Sequence, residues 1–426
     1  MKVAFYYFNI YPSTIDCSNV NAGNPGIGGT EYIMLLVAGA LHKRDNGIQV
    51  RLYSSSPGNF DSSMDVKVID NYDEAARDAA ASGFEVFVIN QEVKWFREPF
   101  KGLPPSLKIV VWCHNFRSPY VMEAIARNVN VGRIVCVSNE QADLFRDAPS
   151  YRKTQCIFNC VPINDELIEK ASRLPYNKRK HVVTYLSCIN PGKGFHKLAR
   201  IWPSVLKQVP DAQLYVIGNG KLYYHDTQLG KYHIATEDYE NSFMPYLTDT
   251  EGNILDSVHF MGVMGTEKDE ILLQTRVGVF PSMTETFCLS AVEMQAMGCS
   301  VVTMSTAGSF DVVYNGLVAR DDNQLLRHIV KLLTQDEVKP YDKTIQYIQD
   351  NFSLDNVASQ WEELLHSDFA ENKKVFYPLH HPTYRFKWLK ECIRLAKVVC
   401  PFMRRDKIIT EKLLRKLKYA PEKRMF

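Results

Sequence analysis

Long hydrophobic runs are missing from this chain of 426 residues. None approaches the roughly 20 apolar residues that a helix needs to cross a bilayer, so no helical span is expected. Paired cysteines are missing too. Ten cysteines stand at 17, 113, 136, 156, 160, 188, 288, 299, 392 and 400, with no CxxC pair and no Cys/His cluster at zinc spacing. That argues against a zinc ribbon or a disulfide framework. Most lie inside apolar runs such as "VVWCH" and "IVCVS", where a free thiol is a small hydrophobe. A reducing compartment, the cytosol, is the expected setting. No internal repeat or low-complexity segment stands out. The first residues, "MKVAFYYFNI", carry one positive charge and no small-residue cleavage site, so they read as a buried strand and not as a leader.

A strong net charge is also lacking: 50 Lys and Arg stand against 48 Asp and Glu, a formal +2. The balance hides an asymmetry. Residues 383–426 hold 14 basic against four acidic residues, a net +10, and the remainder is at −8. A basic tail bears on partners, not on fold. Within it, "TYRFKWLKECIRLAKVVCPF" has helical spacing, with Trp388, Cys392, Leu395 and Val399 on one stripe and Lys387, Lys390, Arg394 and Lys397 largely elsewhere. Residues 383–419 are therefore expected either to bind an anionic membrane surface or, for the first helix, to pack across onto the N-terminal half. Nucleic acid is not expected, because the basic residues adjoin apolar stripes and no nucleic-acid module is visible.

What is present is a rhythm. Short, apolar, β-branched runs ("VAFYYFNI", "QVRLYS", "VFVIN", "KIVVWCH", "RIVCVS") alternate with helical patterns, and the second half repeats this with "HVVTYLS", "QLYVIGNG", "VHFMG", "VGVF" and "SVVTM". Such alternation implies parallel sheets covered on both faces. Two blocks imply two doubly wound α/β domains, at 1–178 and 179–366, with a basic helical tail at 367–426. The polar, basic stretch at 170–181 marks the boundary. Residues 221–250, rich in tyrosine, read as an elaborated loop.

Candidate site residues gather at predicted strand ends, the ligand edge of an open α/β sheet. In "ETFCLSAVEMQAMGCSVV" two carboxylates, Glu285 and Glu293, stand eight positions apart with nothing charged between them. A helix is predicted from Phe287 or Cys288 to Met297, closed by Gly298 in a left-handed conformation. Glu285 then precedes the helix, Glu293 lies inside it, and the amides of Thr286 to Leu289 form an open N-terminus suited to an anion. The bland alternative is a helix-start charge and a solvated glutamate. "NPGIGGTE" follows the first strand with Gly26, Gly28 and Gly29, without the strict GxGxxG spacing. "VVWCHNF" sets His114 and Asn115 at a strand end. "SCINPGKGF" sets Lys193 in a second glycine-bearing loop.

Together "GIGGTE", the strand-end "HN", "IFNCVPIN", "KGFHKLARIWPSVLKQVPDAQLYVIGNG", "VHFMGVM" and "FPSMTETFCLSAVEMQAMGCSVV" resemble glycosyltransferase family four, over nearly the whole chain to about residue 365. The resemblance implies a GT-B fold, two Rossmann-like domains facing a central cleft, and retaining transfer from a nucleotide-diphosphate sugar to a glycan or lipid-linked acceptor in cell-surface polysaccharide or glycolipid assembly at the cytoplasmic face. It implies that Glu293 holds the ribose and that Glu285 and His114 act at the donor sugar. The amides of Thr286, Phe287, Cys288 and Leu289 would hold the diphosphate with Lys193. Gly28 and Gly29 would lie near the phosphates, and Gly218, Gly262 and Val263 would shape the base pocket. No Asp-x-Asp triplet occurs, so neither a cofactor nor a metal is expected. One departure stands out: where the family usually has an arginine five residues before the loop lysine, this chain has Cys188, which cannot make a bidentate phosphate contact. Arg117 is one candidate replacement. A same-fold epimerase and a non-catalytic nucleotide-sugar-binding scaffold are the rival readings.

Overall fold

The computed structural model describes residues 1–400 except 12, 14, 91, 163, 222–226, 307 and 372–386. Thirteen strands build two parallel sheets. The first sheet holds β1 (Lys2–Tyr7), β2 (Gln49–Ser54), β3 (Asp65–Val68), β4 (Val86–Asn90), β5 (Lys108–Cys113), β6 (Val131–Cys136) and β7 (Thr154–Cys156), in the order β3-β2-β1-β4-β5-β6-β7. The second holds β8 (Val182–Leu186), β9 (Gln213–Ile217), β10 (Val258–Gly262), β11 (Val277–Phe280), β12 (Ser300–Met304) and β13 (Gly316–Ala319), in the order β10-β9-β8-β11-β12-β13. Both orders reverse direction beside the first strand of the sheet, which is the doubly wound arrangement and leaves a crevice at the strand C-termini. Registers are parallel throughout; Lys2 faces Gln49 across β1 and β2, and Val182 faces Gln213 across β8 and β9.

The strands expected from apolar runs form. Three others, β3, β7 and β13, are not among the expected strands; β3 and β7 interleave polar residues, and β13 is only the four residues GLVA. Each lies at a sheet edge and is only part buried, so the continuous apolar pattern of a central strand is not required of it.

Three differences from expectation concern the connections. Residues 221–250 are more than a loop. They contain a helix, Glu237–Phe243, whose Tyr239 and Phe243 enter the second core. The Glu240 carboxylate accepts hydrogen bonds from the amides of Tyr232, Ile234 and Ala235 at 2.8–3.0 Å, folding the preceding segment onto that helix. Next, the helix Leu354–Leu365, inside the range assigned to the second domain, packs on the first. Trp361 is fully buried, with its ring centroid 4.4 Å from Trp112 and 6.3 Å from Phe5. Arg44 adds an ion pair to Glu362 at 2.8 Å. Apolar area, not chain position, decides where a terminal helix docks.

The third difference is in the face by which the tail docks, since packing of its first helix across onto the N-terminal half is one of the two arrangements expected. The helix Lys387–Val399 also lies on the first domain, through charge. Glu391 is buried and its carboxylate takes Arg146 at 3.2 Å, while Lys397 reaches Asp147 at 3.4 Å. The expected apolar stripe is not the buried face, because Cys392 and Val399 are exposed. Segments 383–386 and 401–419 of the proposed membrane-binding tail lie outside the described residues. Among the described residues, no helix is long and apolar enough to cross a membrane.

Candidate active site

A cleft of about 870 Å³ opens between the C-terminal edges of the two sheets. Glycine-rich backbone forms its first-domain wall. Tyr11 accepts a hydrogen bond from the Gly28 amide at 2.6 Å, and Asn24 accepts from the amides of Gly26 and Ile27 at 2.9 Å. Gly28 starts α1 (Gly29–Lys43). The two domains approach closely here: a Cβ on Gly29 would stand 2.9 Å from the Leu289 Cδ1 of the other domain. A side chain there would have to push the Leu289 methyl aside.

The second-domain wall is the stretch with two glutamates. β11 ends at Phe280, and the next helix, α2 (Leu289–Ala296), begins one residue later than expected. Cys288 precedes it in a left-handed conformation, φ 81°, unusual for a residue with a side chain. Gly298 closes the helix at φ 80°, as the sequence predicts. Glu285 lies before α2 and pairs with Lys193, Nζ to Oε2 at 2.7 Å. Glu293 lies on the first turns of α2 and pairs with Lys268 at 2.9 Å, while Lys268 also lies 3.6 Å from Asp269. Neither glutamate is a free surface charge. Burial opposes charge on Lys268, but Glu293 and Asp269 outweigh it and raise its pKa. Burial is the main cause that raises the Asp269 pKa.

The domains meet at His114. Thr286 donates a hydrogen bond from Oγ1 to the His114 carbonyl at 2.5 Å. The imidazole is 4% exposed, and burial lowers its pKa from 6.5 to about 3, so the ring is neutral near neutral pH. It can exchange hydrogen bonds with a sugar hydroxyl but adds no positive charge. Burial also raises the Cys288 thiol far above the thiolate range, with Glu285 adding to the effect, which argues against a nucleophilic cysteine there.

Of the residues singled out in the sequence, Glu285, His114, Lys193, Thr286, Phe287, Cys288, Leu289, Glu293, Gly28, Gly29, Gly218 and Val263 all line this one cleft. Gly262 is not among its lining residues; its carbonyl accepts the Gly218 amide at 2.6 Å and so shapes the strand end from behind. Arg117 does not line the cleft either. It pairs with Glu92, so it does not stand in for the arginine missing at Cys188. Cys188 is buried at the cleft wall, in contact with the Asn190 amide at 3.4 Å. Among the described residues, Lys193 and Lys268 are the lysine and arginine side chains that line the cleft. Lys268 was missed in the sequence. Its signal was the acid-flanked "GTEKDE" after β10, which has no meaning until Glu293 is placed beside it. Glu31, present in the "GIGGTE" stretch, also lines the cleft, and burial raises its pKa.

Two Rossmann-like domains closing on a cleft at their strand C-termini define the GT-B class. Residues 180–335 match the family model described as Glycosyl transferases group 1. The Bacillus subtilis (strain 168) protein YtcC, named a glycosyltransferase, is 25% identical over 337 residues, covering 72% of this chain and 79% of that protein. The crystal structure of Anabaena Alr3699/HepE in complex with UDP superposes with a TM-score of 0.62 at 18% identity, covering 86% of this chain and 99% of that one. WaaG, a glycosyltransferase involved in lipopolysaccharide biosynthesis, superposes with a TM-score of 0.55 at 12% identity, covering 86% and 100%. Residues 180–335 thus match the group 1 glycosyltransferases, and the whole chain shares the GT-B fold of the solved glycosyltransferases it superposes on.

Proposed function

We propose that this enzyme transfers a sugar, with retention, from a nucleotide-diphosphate sugar to a glycan or lipid-linked acceptor of cell-surface polysaccharide or glycolipid assembly. The observation that carries the reading is the pair of anchored carboxylates, Glu285 on Lys193 and Glu293 on Lys268, flanking the N-terminus of α2 in one cleft. Sugar–phosphate cleavage puts positive character on the sugar and negative charge on the leaving diphosphate. Open amides at Phe287, Cys288 and Leu289, with Lys193 beside them, suit that leaving charge. Glu293, held in place by Lys268, suits the ribose hydroxyls. Glu285 and the neutral His114 suit the donor sugar. UDP in the HepE complex makes a uridine nucleotide the first donor to try, and WaaG's role in lipopolysaccharide synthesis favours a surface glycan as acceptor.

The test is a thermal-shift panel of nucleoside diphosphates and their sugars, repeated with Glu293→Ala. A ligand at 100 times its dissociation constant adds about 2.7 kcal/mol, a readable shift in midpoint. Stabilisation by one base, lost in the variant, supports the donor site. Silence across the panel would sink it together with the nucleotide-sugar-binding scaffold, and would make the cysteine at 188 the mark of a lost donor site. Peripheral binding to the cytoplasmic face of a membrane belongs to the same proposal. Its support is the net +10 over 383–426 and the outward Cys392 and Val399. Failure of the full-length protein to sediment with anionic liposomes at low salt would remove it.

A further inference from the structure

A second cavity, of about 300 Å³, opens on the first domain beside the cleft. Glu92 lines both. The other walls that matter are Lys94, Trp95, Phe96, Arg97 and Arg117. Their chemistry is one-sided. Lys94 and Arg97 are exposed and have no ion-pair partner among the described residues. Arg117 gives one arm to Glu92, and its Nε is buried without an acceptor among the described residues. The Trp95 indole N–H is in the same condition, on a side chain only 5% exposed. A buried donor with no acceptor costs free energy comparable to a lost hydrogen bond. Both donors are shut off from the cavity itself; what suits a negatively charged occupant is the rim, where Lys94, Arg97 and Arg117 stand against the single carboxylate Glu92. Phe96, 69% exposed, adds an apolar lip at the same rim.

We infer that this cavity holds a phosphate or diphosphate group of the acceptor, with the apolar portion attached to that group lying against Phe96. The inference rests on the transferase reading and names the acceptor class for it. Every residue named belongs to the first domain, whereas Lys193 and the amides at the start of α2 belong to the second. The two sites would therefore hold two different phosphate groups, one on each substrate, with Glu92 between them. Arg117, which does not reach the first cleft, gains a role in the second. A guanidinium is suited to a phosphate because its planar donors match the oxygens in pairs.

The experiment uses the full chain labelled with 5-fluorotryptophan, whose five signals are assigned by single Trp→Phe variants. Trp95 reports the second cavity. Trp112, with its ring 4.7 Å from His114, reports the cleft. Geranyl diphosphate, inorganic pyrophosphate and geraniol are titrated in turn, and UDP separately. The expected result is a saturable shift of the Trp95 signal with geranyl diphosphate and none with geraniol. The double variant Lys94→Glu/Arg97→Glu, both positions exposed, should weaken that response at least tenfold while leaving the UDP response of Trp112 unchanged. An equal response to pyrophosphate supports the anion site and shows that the phosphates are read without the apolar arm; a weaker one supports it and gives Phe96 its share. A Trp95 signal that ignores both phosphates at millimolar concentration, or a response that the double variant leaves intact, overturns the inference. A silent Trp112 with UDP would instead count against the donor site, so the two failures are distinguishable.

Discussion

At the scale of single residues, charges in this cleft come in anchored pairs, and that sets what substitution does. On the proposed reading Glu293→Ala removes hydrogen bonds between a charged group and the ribose, and it leaves Lys268 with Asp269 3.6 Å away. Hydrogen bonds to charged groups contribute about 1.5–3 kcal/mol, so nucleotide binding measured by calorimetry should weaken roughly 10- to 150-fold. Lys268→Met should weaken it in the same direction by disordering Glu293. His114 gives a pH prediction. Folding lowers its pKa from 6.5 to about 3. Between those values the unfolded chain binds more protons than the folded one, so stability from this group is full above pH 6.5 and falls as pH falls. The slope is at most about 1.4 kcal/mol per pH unit. Urea melts at pH 7 and pH 5 should show a smaller loss for His114→Gln than for the parent; an equal loss would mean that the imidazole is protonated in the folded state.

At the scale of elements, strand ends and terminal helices carry the predictions. Gly218, just past β9, has φ 120°, and a Cβ there would stand 2.1 Å from the Ser187 carbonyl oxygen. Two strand ends touch backbone to backbone, and no side chain can give way. Gly218→Ala should therefore destabilise by more than the roughly 1 kcal/mol that glycine substitutions change through the unfolded chain alone, read as a lower urea midpoint. The terminal helix, α4 (Lys387–Val399), depends on the buried Glu391, whose carboxylate meets Arg146 and Arg394. Arg146 also pairs with Asp143. Glu391→Ala thus leaves Arg146 its pair with Asp143, and the loss should fall below the 3–5 kcal/mol of a fully stranded buried charge. Hydrogen exchange over 387–399 would accelerate first.

At the scale of the whole molecule, the first domain is completed by chain from beyond the second. α3 (Leu354–Leu365) carries Trp361 into the first core, against Trp112. Trp361→Ala should cost about 3–5 kcal/mol, and the loss should appear in unfolding of the first domain. Because Trp112 also touches His114, the same variant should reduce transferase turnover even with saturating donor.

Much of this was legible in the sequence, and the reason differs by scale. Central strands are buried on both faces, so their apolar runs declare them. Edge strands β3, β7 and β13 are half wet and do not. Glu285, Glu293, His114 and Lys193 could be named because loops after parallel strands must face one edge of the sheet. Lys268 could not, since its meaning is a distance to Glu293 across 25 positions of chain. The sequence by itself determined two parallel α/β units, the strand-end loops that hold the chemistry, and an isolated basic tail, because each is written in local periodicity and composition. Only the tertiary structure decided which charges pair, that Arg117 faces Glu92 and not the cleft, and where α3 and α4 dock. Those outcomes depend on side chains far apart in the chain competing for the same buried space, and no local pattern records that competition.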